Sequence, residues 1–247
     1  MSNIDADGTL VDLESPRGQA SKVRSLRFFS VTYLGWNLLT LYYYIQGNSL
    51  FHVDSSFNPR RAGNSLLLAH ELPPPGTGGR TAFADTRSAY DDLPRSVKED
   101  LLRNNYIADH SLLHSRKLAA PEFFAKVNPL DFPMSRHRLV QMHEPSGRMN
   151  LYIAAHAHHI EGIEPEASKE LLDQLYEHAI QPKYVFEVEW ENVGDMVMWD
   201  NTCVMHRAVG GVFETKHKRD MRRATVHDSS SQAWGLNMHS DERLGLP

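Results

Sequence analysis

His52 and Asp54 stand two residues apart in the run Leu50-Phe51-His52-Val53-Asp54-Ser55-Ser56-Phe57. On a β-strand the side-chain period is two, so both project from one face, where an imidazole and a carboxylate can hold one metal ion together. A further histidine would complete the two-histidine, one-carboxylate arrangement that leaves positions open on a non-haem Fe(II). His-x-Asp alone is weak evidence, so the third ligand must come from elsewhere in the chain. His206 is the candidate, because the apolar stretch Met196-Val197-Met198-Trp199 delivers Asp200-Asn201-Thr202-Cys203-Val204-Met205-His206.

The elements that must position these residues read as strands. Tyr184, Phe186, Val188 and Trp190 alternate with Val185, Glu187 and Glu189, giving one face for a core and one mostly for solvent. Asn192-Val193-Gly194-Asp195 turns the chain, and Met196 to Trp199 returns it as a second strand of a hairpin. A hairpin that brings a distant histidine back to the His-x-Asp strand suits a double-layered β barrel with jelly-roll strands. The apolar run Asn64 to Ala69 has strand length, and the Pro/Gly-rich stretch Leu72 to Thr81 that follows is an irregular loop. Arg219 and Arg223, four apart, share a face of an extended strand and offer the fork geometry that binds a carboxylate; a solvated basic run over 216–223 is the alternative.

Other histidines are less defined. His110 and His114 have the i, i+4 spacing of one helix face, but no neighbouring Glu or third ligand accompanies them, which favours a structural pair. Pro145-Ser146-Gly147 makes a turn and Leu151 to Ala154 a short strand, so His143 and His156 could approach one another across a hairpin. His156, His158 and His159 otherwise read as a polar loop, with nothing fixing zinc geometry. Ala167, Leu171, Leu175 and Ala179 mark the packing face of a helix that starts near Pro165, and Leu93, Val97 and Leu101 mark a surface helix with Pro94 at its first position.

The chain of 247 residues is long enough to bury a sizeable core, and 41% hydrophobic with 23% charged residues is the balance of a globular protein. A net charge of -5 offers no general attraction to nucleic acid. A single cysteine, Cys203, excludes an internal disulfide framework and favours a reducing, cytoplasmic compartment. Assembly into a homo-oligomer is left open.

His52-Val53-Asp54, Gly78-Gly79-Arg80-Thr81, Trp199-Asp200-Asn201 ending at His206, and Arg219-Asp220-Met221-Arg222-Arg223-Ala224-Thr225 occur in the order found in the taurine/2,4-D dioxygenase (TauD/TfdA) family, which the chain resembles over about residues 47–228. Within that family it looks most like the 2,4-dichlorophenoxyacetate branch, on the stretches Asp109 to Arg116 and His143 to His159. The resemblance implies a mainly β fold: a double-stranded β-helix (jelly-roll, cupin-like) core with flanking α-helices. It implies Fe(II) held by His52, Asp54 and His206. The co-substrate 2-oxoglutarate would be held by Thr81 and Arg219, with Arg223 contacting co-substrate or acidic substrate. His143, His156 and His159 match histidines implicated in substrate binding, whereas His158 has no matching role. The implied reaction hydroxylates a small anionic organic substrate, such as an aryloxyacid or sulfonate, with release of succinate and CO2.

The lead departs from that pattern. Residues 1–22 are polar, and from Phe28 to Ile45 the chain carries no charge. A membrane span needs roughly 20 mostly apolar residues, but Ser30, Thr32, Asn37 and Thr40 weaken this one and it ends close before His52, so insertion is disfavoured. The domains read as 1–46, the lead with an aberrant hydrophobic segment, and 47–247, the dioxygenase domain with an incomplete N-terminal part. An incomplete sheet would expose an edge and an apolar face, so an inactive or membrane-tethered remnant without turnover stands as the alternative. Residues 23–46 also read as a translated intron: valine codons begin with GT, a glutamine codon ends in AG, and Leu39-Thr40 can encode a branch site. The expected outcome of transcript sequencing is a mature message joining Lys22 to Gly47; retention in every message overturns that reading.

Overall fold

The computed structural model describes Leu10 and residues 50–240 apart from Phe123, so the aromatic segment 28–45 and the intron reading of 23–46 lie outside the described residues. The strands are β1 (Ala62–Glu71), β2 (Thr81–Asp85), β3 (Ile107–His110), β4 (Ser135–Arg138), β5 (Val140–His143), β6 (Arg148–Leu151), β7 (Ala157–Ile160), β8 (Val185–Val188), β9 (Met196–Asp200), β10 (Val204–Ala208) and β11 (Asp220–His227). Four helices flank them: α1 (Thr86–Asp91), α2 (Arg95–Asn104), α3 (Leu112–Ala119) and α4 (Pro165–Ala179).

Two antiparallel three-stranded sheets, ordered β11-β1-β9 and β10-β2-β8, form the double-layered core that the sequence leads one to expect. Period-two alternation sorts β1, burying Ser65, Leu67 and Ala69 while Asn64, Leu68 and His70 face outward. Leu67, Ala69, Trp199 and Met221 from the first sheet meet Phe83 of the second in a shared apolar cluster. The opposite face of the second sheet is also covered. Ala82, Ala84 and Met205, all fully buried, pack beneath Ala89 and Tyr90 of α1 and Leu172, Leu175 and Ala179 of α4. Small side chains on β2 let the helices approach closely, and the inward side of the strand is left to Thr81 and Phe83.

Several local expectations are corrected. Tyr184 to Trp199 is not one hairpin: β8 pairs with β2 and β9 with β1, so the chain crosses between sheets. Two hydrogen bonds between the crossing turn and Ala69 fix it on β1: Ala69 N–H to Asp195 O at 2.9 Å and Gly194 N–H to Ala69 O at 2.8 Å. Phe186 is exposed, stacking on Phe83 at a centroid distance of 5.3 Å. His110 and His114 do not share a helix, because His110 ends β3 and the Ser111 hydroxyl accepts the His114 N–H to cap α3 after it. Pro94 precedes α2 instead of opening it. The 151–154 strand is instead β6, ending at Leu151. On α4 the buried stripe is Ser168, Leu172, Leu175 and Ala179, so Ala167 faces solvent and Leu171 only flanks the stripe. The Ser168 hydroxyl explains that rotation, accepting the Ile160 N–H of β7 at 2.7 Å.

A polar layer lies beneath the β3 sheet. His110 and His137 are fully buried, with His110 Nδ1 3.0 Å from Ser56 Oγ and His137 Nε2 3.1 Å from Ser56 O. Burial, then the neighbouring His137 and Arg61, push His110 well below its ordinary value, and burial with Arg61 pushes His137 to about 3. Below the ordinary value of 6.5 an unfolded imidazole takes up a proton that the folded one refuses, so stability is lost as pH falls from 6.5 toward 3. Each such histidine contributes a slope of about 1.4 kcal/mol per pH unit. Urea unfolding at pH 7 and pH 5 is expected to show this loss, and His137→Gln to reduce the slope by one proton. A slope unchanged in the variant would show that His137 does not titrate on unfolding.

Candidate metal centre

His52 lies outside the named strands, in an isolated antiparallel bridge with His206 of β10. His52 N–H donates to His206 O at 3.0 Å and His206 N–H to His52 O at 2.8 Å. Asp54 follows at the start of a turn in which Ser55 takes a left-handed φ of 57°. The expected extended strand is therefore one bridge and a turn. Its outcome is nevertheless a tight set, since His52, Asp54 and His206 present ligand atoms that all lie within 4.8 Å of one another, and all three residues are buried.

The donor chemistry fits a cation. Both ring nitrogens of His206 are buried without a hydrogen-bond partner, and its Nε2 is 3.8 Å from Asp54 Oδ2. A neutral imidazole carries one acceptor nitrogen, and such an acceptor left unpartnered beside a buried carboxylate is costly unless a cation uses it. Burial, with His52 adding to it, lowers His206 to about 3, and burial also lowers His52 despite the pull of Asp54. The imidazoles therefore stay neutral, as ligands must. Burial alone would raise Asp54, but His206, Arg223, His52 and the Ser65 hydroxyl outweigh it and hold the carboxyl below its ordinary value.

Each ligand is held in place from behind. His52 Nδ1–H donates to Leu50 O at 2.8 Å, which leaves Nε2 as the bare nitrogen. Ser65 Oγ–H donates to Asp54 Oδ2 at 2.7 Å, and Arg223 Nη1 donates to Asp54 Oδ1 at 2.5 Å. Asn201 is fully buried; its Oδ1 accepts from Asp54 N and from Trp199 Nε1, both at 3.0 Å, while its Nδ2 donates to Gly63 O and Ser65 Oγ, both at 2.9 Å. Ser65 and Asn201 are the positioning residues to which motif reading gave no role, although Asn201 stood in the quoted Trp199-Asp200-Asn201 stretch.

The other anticipated site residues divide. Thr81, at the start of β2, is buried and its Oγ1 accepts from Trp190 Nε1 at 3.3 Å. Arg219 is buried just before β11, and its Nη2 donates to Gly79 O at 2.8 Å, two residues from Thr81. Gly79 has a φ of +92°, and a Cβ there would stand 3.0 Å from Arg219 Nε, so glycine both permits the turn and makes room for the guanidinium. Arg219 is thus withdrawn from the solvated basic run, whereas Arg223 is 40% exposed and reaches in only to pair with Asp54. His156 is brought to the triad: it is buried, with its ring 5.8 Å from that of His52 and its Nδ1 2.8 Å from Ser115 Oγ. Burial, then His52 and His110, keep it well below its ordinary value. His159 instead faces Asp109 at 3.3 Å, half exposed, and His143 pairs with Asp200 on the far face of β9. His143 and His156 therefore have separate partners.

Residues 36–225 match the family model described as "Taurine catabolism dioxygenase TauD, TfdA family", and the chain belongs to that family. It is 44% identical over 179 residues to an alpha-ketoglutarate-dependent 2,4-dichlorophenoxyacetate dioxygenase from Burkholderia sp. (strain RASC), a match covering 72% of this chain and 58% of that protein. An (S)-phenoxypropionate/alpha-ketoglutarate-dioxygenase from Sphingobium herbicidovorans is 38% identical over 66% of this chain and 58% of its own length. The chain thus spans less than two thirds of these relatives. Among solved structures, AAD-2 in complex with Mn(II) and N-oxalylglycine superposes with a TM-score of 0.72 at 34% identity, covering 93% of this chain and 73% of that one. Among the described residues no helix is long and apolar enough to cross a membrane.

Removing the supports should weaken metal binding without touching a ligand. Ser65→Ala is expected to lower Mn(II) affinity by about 10–100-fold in calorimetric titration. Asn201→Ala, which strands the Asp54 N–H, should in addition cost roughly 2–4 kcal/mol in urea unfolding. Wild-type affinity in folded Ser65→Ala would show that the hydroxyl does not orient Asp54.

Proposed function

We propose that the chain is an Fe(II)- and 2-oxoglutarate-dependent dioxygenase that hydroxylates a small anionic organic substrate and releases succinate and CO2. The observation that carries this reading is the buried His52, Asp54 and His206 set, with the unpartnered ring nitrogens of His206 and with Arg223 on the Asp54 carboxylate. Fe(II), when bound by these three residues, supplies the open positions at which 2-oxoglutarate and O2 react.

The chain's own residues prepare that event. Arg219, fixed by Gly79 O, and Thr81 are the proposed anchors for the far carboxylate of 2-oxoglutarate. A planar guanidinium binds such a group through two parallel hydrogen bonds, and a hydroxyl adds a third. Arg223 neutralises Asp54 in the structure, and a metal ion taking over that role leaves its guanidinium for the near carboxylate or for the substrate anion. His156, neutral and packed on His52, is the proposed substrate contact from the opposite wall. Phe83 and Trp199 line the inner sheet faces and reduce water around the reacting centre. The aryloxyacid substrates in the names of the relatives support an acidic substrate with an apolar body; sulfonates and related anions belong to the same class. A cytoplasmic setting is consistent with the lone reduced cysteine.

Anaerobic titration with Fe(II) and 2-oxoglutarate tests the reading directly. The expected result is a visible metal-to-ligand charge-transfer band, lost in His52→Ala and His206→Ala and requiring at least tenfold more 2-oxoglutarate in Arg219→Leu. No band in folded wild-type chain would overturn the assignment and favour a remnant without turnover.

A further inference from the structure

We propose that His143, Asp200 and Cys203 form a second cation site, of the borderline-soft zinc class, on the side of β9 opposite the triad. Alternation places it there: Trp199 points inward, its ring 4.6 Å from that of His206, so the next residue, Asp200, points to the other face. His143 comes from the end of β5 and Cys203 from the turn before β10. Their ligand atoms and that of Asp200 all lie within 4.8 Å of one another.

The set has features of a built site. His143 Nε2–H donates to Asp200 Oδ2 at 3.0 Å, and an ion that displaced this proton would take both atoms as ligands. His143 Nδ1 is 2.7 Å from Ser146 Oγ, the outer hydrogen bond that orients a ligating imidazole. The second carboxylate oxygen, Asp200 Oδ1, already accepts from Thr202 N at 2.8 Å and Thr202 Oγ1 at 2.6 Å, which holds Oδ2 toward the imidazole. Cys203 is buried, its thiol donating to the Asp200 carbonyl oxygen at 4.0 Å, and His143 is buried too, whereas the Asp200 side chain is 30% exposed and gives solvent access to the cluster.

The donor types decide the ion. A thiolate disfavours magnesium and calcium, whereas nitrogen, sulfur and carboxylate oxygen together suit Zn2+. The nearby cations are engaged elsewhere: Arg87 Nε on Asp85 Oδ1 at 3.0 Å and Arg148 Nη2 on Asp91 Oδ2 at 2.5 Å. An ion here would tie the β5–β6 hairpin to the turn that carries the chain on to His206.

Cobalt(II) titration of the full chain under anaerobic conditions tests this, because Cys203 is the sole cysteine and any thiolate-to-cobalt absorption must come from it. The expected result is a near-ultraviolet thiolate–cobalt band at one equivalent, retained in His52→Ala, which disables the triad, and lost in Cys203→Ser and His143→Ala. Loss of the triad in His52→Ala should halve the cobalt bound without touching that band. A folded wild-type chain that binds cobalt with no thiolate band overturns the proposal, as does a band that survives His143→Ala. The wild-type spectrum alone decides the first point even if a variant fails to fold.

Discussion

One buried amide holds the centre together. The four hydrogen bonds of Asn201 use both acceptor positions of its oxygen and both hydrogens of its nitrogen, and they reach the Asp54 backbone, the Trp199 indole, the Gly63 carbonyl and the Ser65 hydroxyl. No other side chain type of this size could serve the same four: a carboxylate lacks the donors and an aliphatic residue lacks everything. Inside a low-dielectric core such a network is stiff when complete and costly when a member is missing. The carboxylate that would meet the metal is thus placed by a residue that never touches it, and the strands carrying Ser65 and Trp199 are locked to the segment carrying Asp54.

β9 divides the molecule's polar chemistry. Its inward side gives Trp199 to the wall beside His206, and its outward side gives Asp200 to His143. Because successive side chains alternate, two unrelated polar clusters can stand one residue apart in sequence without sharing solvent or charge. The interior cluster is the more balanced: Arg223 and Asp54 are opposite charges in direct contact, and the imidazoles of His52 and His206 beside Asp54 stay neutral through burial.

Much of this was legible in the sequence. His52, Asp54 and His206 stood out by their spacing and order among fourteen histidines, and the apolar run Asn64 to Ala69 with the alternation from Tyr184 to Trp190 pointed to a layered β core. The strand invoked to align His52 with Asp54 is reduced to a single bridge at His52, with the chain turning at Asp54 and Ser55. Ser65 was illegible because serine is common, and Asn201 stood in the quoted Trp199-Asp200-Asn201 motif without a role because both act through partners far along the chain. Phase was the other weakness. On α4 a stripe drawn from apolar residues alone missed the buried Ser168, whose value lies in a hydrogen bond to β7. The crossing from β8 to β9 escaped notice because a turn signal says that the chain reverses, not which strand receives it.

The bridge between His52 and His206 bears on kinetics. Two of the three ligands are joined to each other by a single reciprocal pair of backbone hydrogen bonds, outside any continuous ladder at the His52 end. The same segment is held on either side of that bridge, since Ala155 N–H and Tyr176 Oη–H both donate to Phe51 O at 3.1 Å and Asp54 N–H donates to Asn201 Oδ1 at 3.0 Å. An ion held there would leave only when several buried bonds open together, so slow metal exchange would follow from the contacts that place the ligands.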